Sequence, residues 1–528
     1  MNSIWNNNYS AFNNRFPQLA KMLELKENEP SLNVPEWKFI DARNGQLSIE
    51  ENGIRLHSVY NPEREAATAV SSADVNAKSI TVFYGFGLGY HLVEWSKLYK
   101  DKKLVIIEPD VYRFLASMCY VDWTEVFTIE QLVLAVGCPA ESVLPLIENS
   151  AAVNIGESGV SDAFYFDIPA FTRHAQSYFD TVKTLVKRNQ RKNEINSATL
   201  KKFGKLWCRN SMTNIKQLGE LDYISCFENT ASAELPFLIV GAGPSLEKLL
   251  PHVKELKEKC VIVCVETALR ALLRVGVQPD FIILTDPQFW AYRHIAGLKS
   301  PESILITEVS TYPAVFRFNC KKVMLCGSQF PVGQFFENKL GVNPGNLGTG
   351  GSVASSAWNF AYFCGAKNIY VSGLDFAFPK NQTHIKGSSA EQTFHTISNR
   401  LSAPDKFTAA ALYSANAVMS KDYNGNPVLT DSRMKMFSWW FESRLAGCTD
   451  VKTFTLSPEG LNTPGIIPVR IEEMQKNLQN VQKLKNLFLE KAEEGKITAD
   501  IISRLEKLSK EFPSKDFINS YPFLSPYL

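Results

Sequence analysis

The sequence predicts an α/β protein built on largely parallel sheets, with a helical C-terminus. Two observations carry this. Over residues 226–465, short apolar runs alternate with helix-period segments, the pattern of a parallel sheet covered by helices on both faces. In addition, glycine-rich turns follow the apolar runs ending at Tyr84 and Val240 directly, and each leads into a helical stretch. With 528 residues, and domains of roughly 150 residues, about three domains are expected.

Residues 1–75 form an α+β lead-in. Phe16, Leu19, Met22 and Leu23 recur at helical spacing, and Leu47–Glu50 and Gly53–Leu56 are short strand candidates. Residues 76–175 hold a strand (79–84), the turn Gly85-Phe86-Gly87-Leu88-Gly89-Tyr90, a helix (91–98) and a second strand (103–107) closing on Glu108. This succession defines a Rossmann-like N-terminal domain. An acidic residue 19 positions after Gly89 stands where such folds hold ribose hydroxyls. Two readings stay open for this turn: a nucleotide or methyl-donor site, or a turn kept for packing.

Residues 176–225 are a helical linker. Lys183 to Arg209 contain nine Lys or Arg against one acid, Glu194, and no aromatic before Phe203 and Trp207, which describes a solvated helix face better than a nucleic-acid surface. The central domain, 226–465, has strand candidates at 237–240, 261–265, 281–284, 304–306, 322–325 and 368–372, and a helical run from Leu246 to Lys257. In residues 466–528, Met474, Leu478, Val481 and Leu484 share one face and Ile501, Leu505 and Leu508 another, with Gly495 between, so a helical hairpin packed on the body is expected.

Composition narrows the function. Hydrophobic residues make up 45% and charged residues 21%, values of a globular chain rather than a disordered one. Lys and Arg (56) balance Asp and Glu (54), which favours neither nucleic acid nor membrane as partner. The ten cysteines form no Cys-x-x-Cys pair; Cys260 and Cys264 sit in one apolar strand as core thiols, and no metal-ligand set is expected. With neither a signal-peptide pattern at the N-terminus nor an apolar run of 18 residues, a cytoplasmic location is expected.

The candidate site lies at strand ends of the central domain. Gly241, Gly243, Pro244 and Ser245 form a strand-to-helix turn whose free N–H groups suit phosphate, with Ser245 as helix cap or hydroxyl donor. Glu266 and Thr267 end the next strand within reach of a ribose or base, Thr267 alternatively serving as an N-cap. Asp286 ends the strand at 281–284, where a carboxylate suits Mg²⁺ or a nucleotide hydroxyl, whereas Asp280 reads as structural. Thr349, Gly350, Gly351 and Ser352 make a second anion-cradling turn, or a loop with an ordinary serine cap. Gly373 and Asp375 end the last strand candidate, and His384 in the loop beyond is the candidate general base, with His395 a weaker rival. His57, His174, His252 and His294 have no comparable context.

Taken in order, Gly241-Ala242-Gly243-Pro244-Ser245-Leu246, Pro279-Asp280 with Asp286, Gly350-Gly351-Ser352, Gly373-Leu374-Asp375 and Thr383-His384 resemble the motility-associated factor (Maf) family of flagellin glycosyltransferases. These share a domain with the hydroxymethylpterin diphosphokinase MptE. Phe203, Trp207, Asn210 and Asn214 resemble the family's lead-in helix, Gly85–His91 with Glu108-Pro109-Asp110 its N-terminal domain, and Leu456–Gly460 the end of its central domain. The resemblance spans roughly residues 76–470 and implies a sialyltransferase-like central domain. It further implies transfer of a nonulosonic acid, of pseudaminic or legionaminic type, from its CMP-activated form to Ser or Thr of flagellin, with no cofactor required. Gly241, Gly243, Pro244 and Ser245 would then hold CMP. Gly350, Gly351 and Ser352 would hold phosphate or the sugar carboxylate, and His384 would be the base or a leaving-phosphate contact. The 277–286 segment also resembles the thiamin and pterin pyrophosphokinases, which use Mg²⁺-ATP, although Thr285-Asp286-Pro287-Gln288 replaces their richer acidic cluster. A non-catalytic scaffold that binds nucleotide sugar or flagellin is the third expectation.

Overall fold

The structure is a computed structural model that describes residues 3–23, 34–148, 160, 162–348, 350–448, 450–494, 497 and 499–528. Thr349 and Gly495 lie outside the described residues. The chain forms two compact units, 1–201 and 202–528, and the 39-residue helix Gln176–Asn214 carries the chain from one to the other.

In the first unit, β1 (Trp37–Asp41), β2 (Leu47–Glu51) and β3 (Ile54–Arg55) form an antiparallel sheet. β4 (Ile80–Tyr84), β5 (Lys103–Glu108), β6 (Leu132–Val136) and β7 (Ala163–Asp167) form a parallel sheet in the order β6-β5-β4-β7. Trp5, Phe12 and Trp37 of the lead-in share one apolar core with Phe86, Phe114 and Trp123. The turn after β4 stands at the point where strand order reverses, yet the protein fills it. A Cβ on Gly85 would fall 2.5 Å from the Phe171 carbonyl oxygen, and the rings of His57 and Trp123 occupy the space that Gly87 and Gly89 leave. His57 Nε2 accepts from the Leu88 N–H (2.9 Å), and Trp123 Nε1–H donates to the Leu88 carbonyl (3.1 Å). Glu108, buried, is engaged by His174 Nε2 at 2.8 Å and accepts from the Asp110 N–H at 3.0 Å. Of the two readings left open, the packing role is the one these contacts display.

The second unit is built on a sheet of eight described strands, all parallel: β8 (Phe237–Val240), β9 (Val261–Val265), β10 (Phe281–Ile283), β11 (Lys299–Thr307), β12 (Asn319–Leu325), β13 (Asn368–Ser372), and, beyond a separate antiparallel hairpin of β14 (Val418–Lys421) and β15 (Pro427–Thr430), β16 (Lys452–Thr455) and β17 (Ile466–Pro468). Their order is β12-β11-β10-β9-β8-β13-β16-β17, so the reversal falls between β8 and β13. In open α/β sheets that crevice, beyond the carboxyl ends, is where ligands bind. β8, β9, β10 and β13 are near-continuous apolar runs with both faces buried, as parallel strands between helical layers require.

Two expectations are corrected. The run from Leu246 to Lys257 is not one helix but two short ones, Leu246–Leu249 and Val253–Leu256, because Pro251 lacks the N–H that a continuous helix needs. The C-terminus is not a two-helix hairpin. Helix Ile471–Asn477 stops where Leu478 turns extended, so Met474 and Leu484 lie on different helices; Gln482–Glu490, Ala499–Glu511 and Lys515–Ser520 follow.

These C-terminal helices belong to the core. Phe488 packs on Phe227, Phe237 and Phe281. Lys485 Nζ, buried, pairs with Asp280 at 2.7 Å and donates to the carbonyl of Lys257 (2.7 Å). Asp280 in turn accepts from the Ile262 N–H at 2.7 Å, so it is a structural residue at the amino end of β10. At the other end, Asn210 donates to the carbonyls of Pro287 and Ser310, and Asn214 to those of Val309 and Thr311, tying the loops after β10 and β11 to the long helix.

Candidate functional site

β8 ends at Val240 and β13 at Ser372, paired in register, so the turns that follow meet face to face. The Gly241 N–H donates to the Ser372 carbonyl and the Gly243 N–H to the Gly373 carbonyl, each at 2.8 Å. This approach requires glycine: a Cβ on Gly241 would lie 2.5 Å from the Gly373 carbonyl oxygen, and one on Gly243 would lie 2.5 Å from Asp375 Oδ2. Asp375, 3% exposed, accepts from the Ser245 N–H at 3.0 Å and from the Ser245 hydroxyl. Ser245 Oγ also lies 2.6 Å from Ser457 Oγ. Ser245 does not cap the following helix, and its buried hydroxyl is spent on this triad. Burial pushes the Asp375 carboxyl up to about 6. Phe376 follows at φ +47°, backbone that an aromatic residue rarely adopts and that is held here by Thr430 Oγ1 donating to its carbonyl at 2.8 Å.

Beside this junction opens a cleft of about 240 Å³. Gly241, Gly243, Glu266, Thr267, Ser352, Gly373, Asp375, Thr383 and His384 line it, with Met434 and Phe437 as an apolar wall. Most residues singled out in the sequence therefore converge on one space. Glu266 opens the helix Glu266–Arg274, is 5% exposed, and has an Oε2 with no hydrogen-bond partner. Burial, and to a smaller extent the neighbouring Asp286, raises its carboxyl to about 8. Thr267 lies inside that helix rather than at its cap, which is Val265. Ser352 caps the helix Val353–Phe363 by accepting from the Ser355 N–H, and Val353 and Ala354, whose N–H groups open that helix, also line the cleft. His384 stands exposed at the mouth, its pKa lowered by the bulk that surrounds the ring.

Five candidates among the described residues stand outside the lining. Pro244 and Ser245 border a neighbouring hollow behind the turn. Gly350 and Gly351 precede the Ser352 cap; a side chain at Gly350 would collide with Ser355. Asp286 accepts from the Gln288 N–H at 2.8 Å and reaches the cleft only through its electrostatic effect on Glu266. Sequence reasoning missed Ser457, Met434 and Phe437. Ser457 enters because β16 runs beside β13, a neighbour relation between strands some 80 residues apart that no local pattern announces. A larger hollow, about 620 Å³, between Asn346–Gly348 and Tyr362 holds none of the candidates.

Residues 57–132 match the family model of the glycosyltransferase Maf N-terminal domain, and residues 209–381 match that of the 6-hydroxymethylpterin diphosphokinase MptE-like domain. The chain thus resembles Maf glycosyltransferases in its N-terminal domain and carries an MptE-like central domain. Two uncharacterized proteins of Treponema pallidum (strain Nichols) are 34% identical over 227 residues and 27% identical over 262. The alignments span 38% and 48% of this chain, and 58% and 85% of those proteins. The structure of MAf glycosyltransferase from Magnetospirillum magneticum AMB-1 shares the fold, with a TM-score of 0.62 at 16% identity over 100% of this chain and 87% of that one. The MptE-like match covers Gly241–Ser245, Glu266, Asp286, Ser352 and Asp375, and stops at residue 381, three short of His384. Among the described residues, no helix is long and apolar enough to cross a membrane.

Proposed function

We propose that this protein is a Maf-type glycosyltransferase that moves a nonulosonic acid, of pseudaminic or legionaminic type, from its CMP-activated donor to Ser or Thr of flagellin. The observation that carries the reading is the convergence of the Gly241–Gly243 turn, the Ser352 helix cap, Glu266 and His384 on one cleft at the strand-order reversal. CMP fits this cleft in chemistry: Phe437 and Met434 offer an apolar face to a base, and the N–H groups opening the helix at Val353 offer donors to phosphate. In the reaction, the acceptor hydroxyl oxygen bonds to the anomeric carbon while the carbon–oxygen bond to phosphate breaks. CMP leaves with the electron pair, and His384 takes the hydroxyl proton. Backbone donors aimed at the phosphate stabilise the charge that develops there, with no cofactor required. The partners on this reading are nucleotide sugar and flagellin, in the cytoplasm, with neither nucleic acid nor membrane.

One observation favours a second reading. Glu266 and Asp286 are electrostatically coupled carboxylates within an MptE-like domain, a pair that suits Mg²⁺ and ATP in a pyrophosphokinase. Calorimetric titration with CMP and with ATP, each in Mg²⁺ and in EDTA, separates the two. The transferase reading expects CMP binding that survives EDTA. ATP binding that requires Mg²⁺ would replace it with the pyrophosphokinase, and silence from both nucleotides would leave a scaffold.

A further inference from the structure

A second hollow, about 490 Å³, shares a helix with the cleft. Glu266 and Thr267 of the helix Glu266–Arg274 face the cleft, and Arg270, one turn on, lines the hollow. The other walls include Trp290, Arg293, His294, Ser389 and Phe394. Arg270 Nε is buried with no hydrogen-bond partner, and no Asp or Glu stands among the residues that line the hollow. A guanidinium left in this state inside a hollow is a donor set without its acceptor. The ring of His294 is fixed by a hydrogen bond between Nδ1 and the Ser389 hydroxyl. His384 and Arg270 both act electrostatically on His294, itself a wall of the hollow.

We propose that this hollow is an anion subsite, with Arg270 as its principal contact, that takes the carboxylate of the transferred sugar acid. The planar guanidinium matches a carboxylate in two parallel hydrogen bonds. Trp290, 62% exposed, and Phe394 offer faces to the apolar side of a sugar ring, and Gln392 and Thr393 offer polar groups to its hydroxyls. A ligand whose nucleotide lies in the cleft reaches Arg270 along a single helix. The Ser352 turn is then left to the phosphate alone. The identity of the ligand rests on the transferase reading; the anion subsite does not.

The test is thermal unfolding of the full chain titrated with N-acetylneuraminate, its neutral methyl ester and inorganic phosphate, with CMP titrated separately. The free acid is expected to raise the midpoint and the ester to leave it unchanged, a comparison that needs no variant. Arg270→Gln should weaken the response to the acid by about tenfold or more and leave CMP affinity within about twofold. Arg293→Gln, at an exposed position, should weaken it less. Equal responses to acid and ester, a response to phosphate alone, or an unchanged response in Arg270→Gln would each overturn the assignment. Loss of CMP binding in the wild type would overturn the transferase reading instead, and the acid-against-ester comparison would still decide the subsite.

Discussion

The carboxylate of Asp375 accepts both the backbone N–H (3.0 Å) and the hydroxyl of Ser245, a residue 130 positions earlier in the chain. This contact locks the turn after β8 to the turn after β13 at the mouth of the cleft. Asp375→Ala strands the buried donors of Ser245, so a loss of about 2 kcal/mol in urea unfolding is expected, together with weaker CMP binding. Unchanged stability would mean that Ser457 alone holds the junction.

Gly243→Ala tests the close approach of the two turns. Its Cβ would press on Asp375 Oδ2 and the Gly373 carbonyl, so destabilisation of about 1–3 kcal/mol and loss of nucleotide binding are expected. Gly447→Ala is the control, since its nearest contact would be 3.7 Å away and its φ is negative. It should change neither unfolding nor titration.

The Glu266 carboxyl, raised to about 8 from 4.5, makes stability depend on pH. A folded-state pKa above the unfolded one stabilises fully below the unfolded value and loses that contribution as pH rises through the folded value. Relative to Glu266→Gln, the wild type should therefore lose stability between about pH 4.5 and 8, on the order of 5 kcal/mol in all. Parallel stability curves for the two proteins across that window would show that Glu266 is ionised in the folded state.

His384→Ala should lower turnover by about 10²–10⁴ while CMP affinity changes little, as expected of a base that meets the acceptor proton rather than the nucleotide. Steady-state rates with the donor, alongside CMP titration, check this. Wild-type rates would remove His384 from the mechanism.

Lys485→Met breaks a buried ion pair that joins the C-terminal helices to β10. It should cost about 3–5 kcal/mol by leaving Asp280 uncompensated, and adding Asp280→Asn should recover part of that. A double-mutant cycle with additive effects would show the pair to be uncoupled.

Much of the site was legible because local pattern carries local chemistry. Apolar runs of four or five residues fall on β8, β9 and β13 with matching bounds, the Gly241–Gly243 turn and Glu266 stand at strand ends, and His384 lies in the loop beyond β13, as their positions suggest. The failures have equally local causes. Pro251 interrupts an otherwise helical period, and Leu478 turns extended within one. β16 and β17, absent from the strand reading, are short runs that become strands by pairing beside β13.

What the amino-acid sequence determined by itself is the α/β class, the glycine turns and the residue types that any ligand would meet. These follow from side-chain period and backbone freedom, which act over a few residues. Tertiary structure alone decided which turns face one another. The N-terminal turn, equally rich in glycine, is filled by Phe171, His57 and Trp123, whereas the turn after β8 borders an open cleft. Strand order places Ser457 against Ser245, and the fold leaves Arg270 Nε without a hydrogen-bond partner in its hollow. Burial and pairing of this kind are set by contacts between distant segments, and only the folded chain brings those segments together.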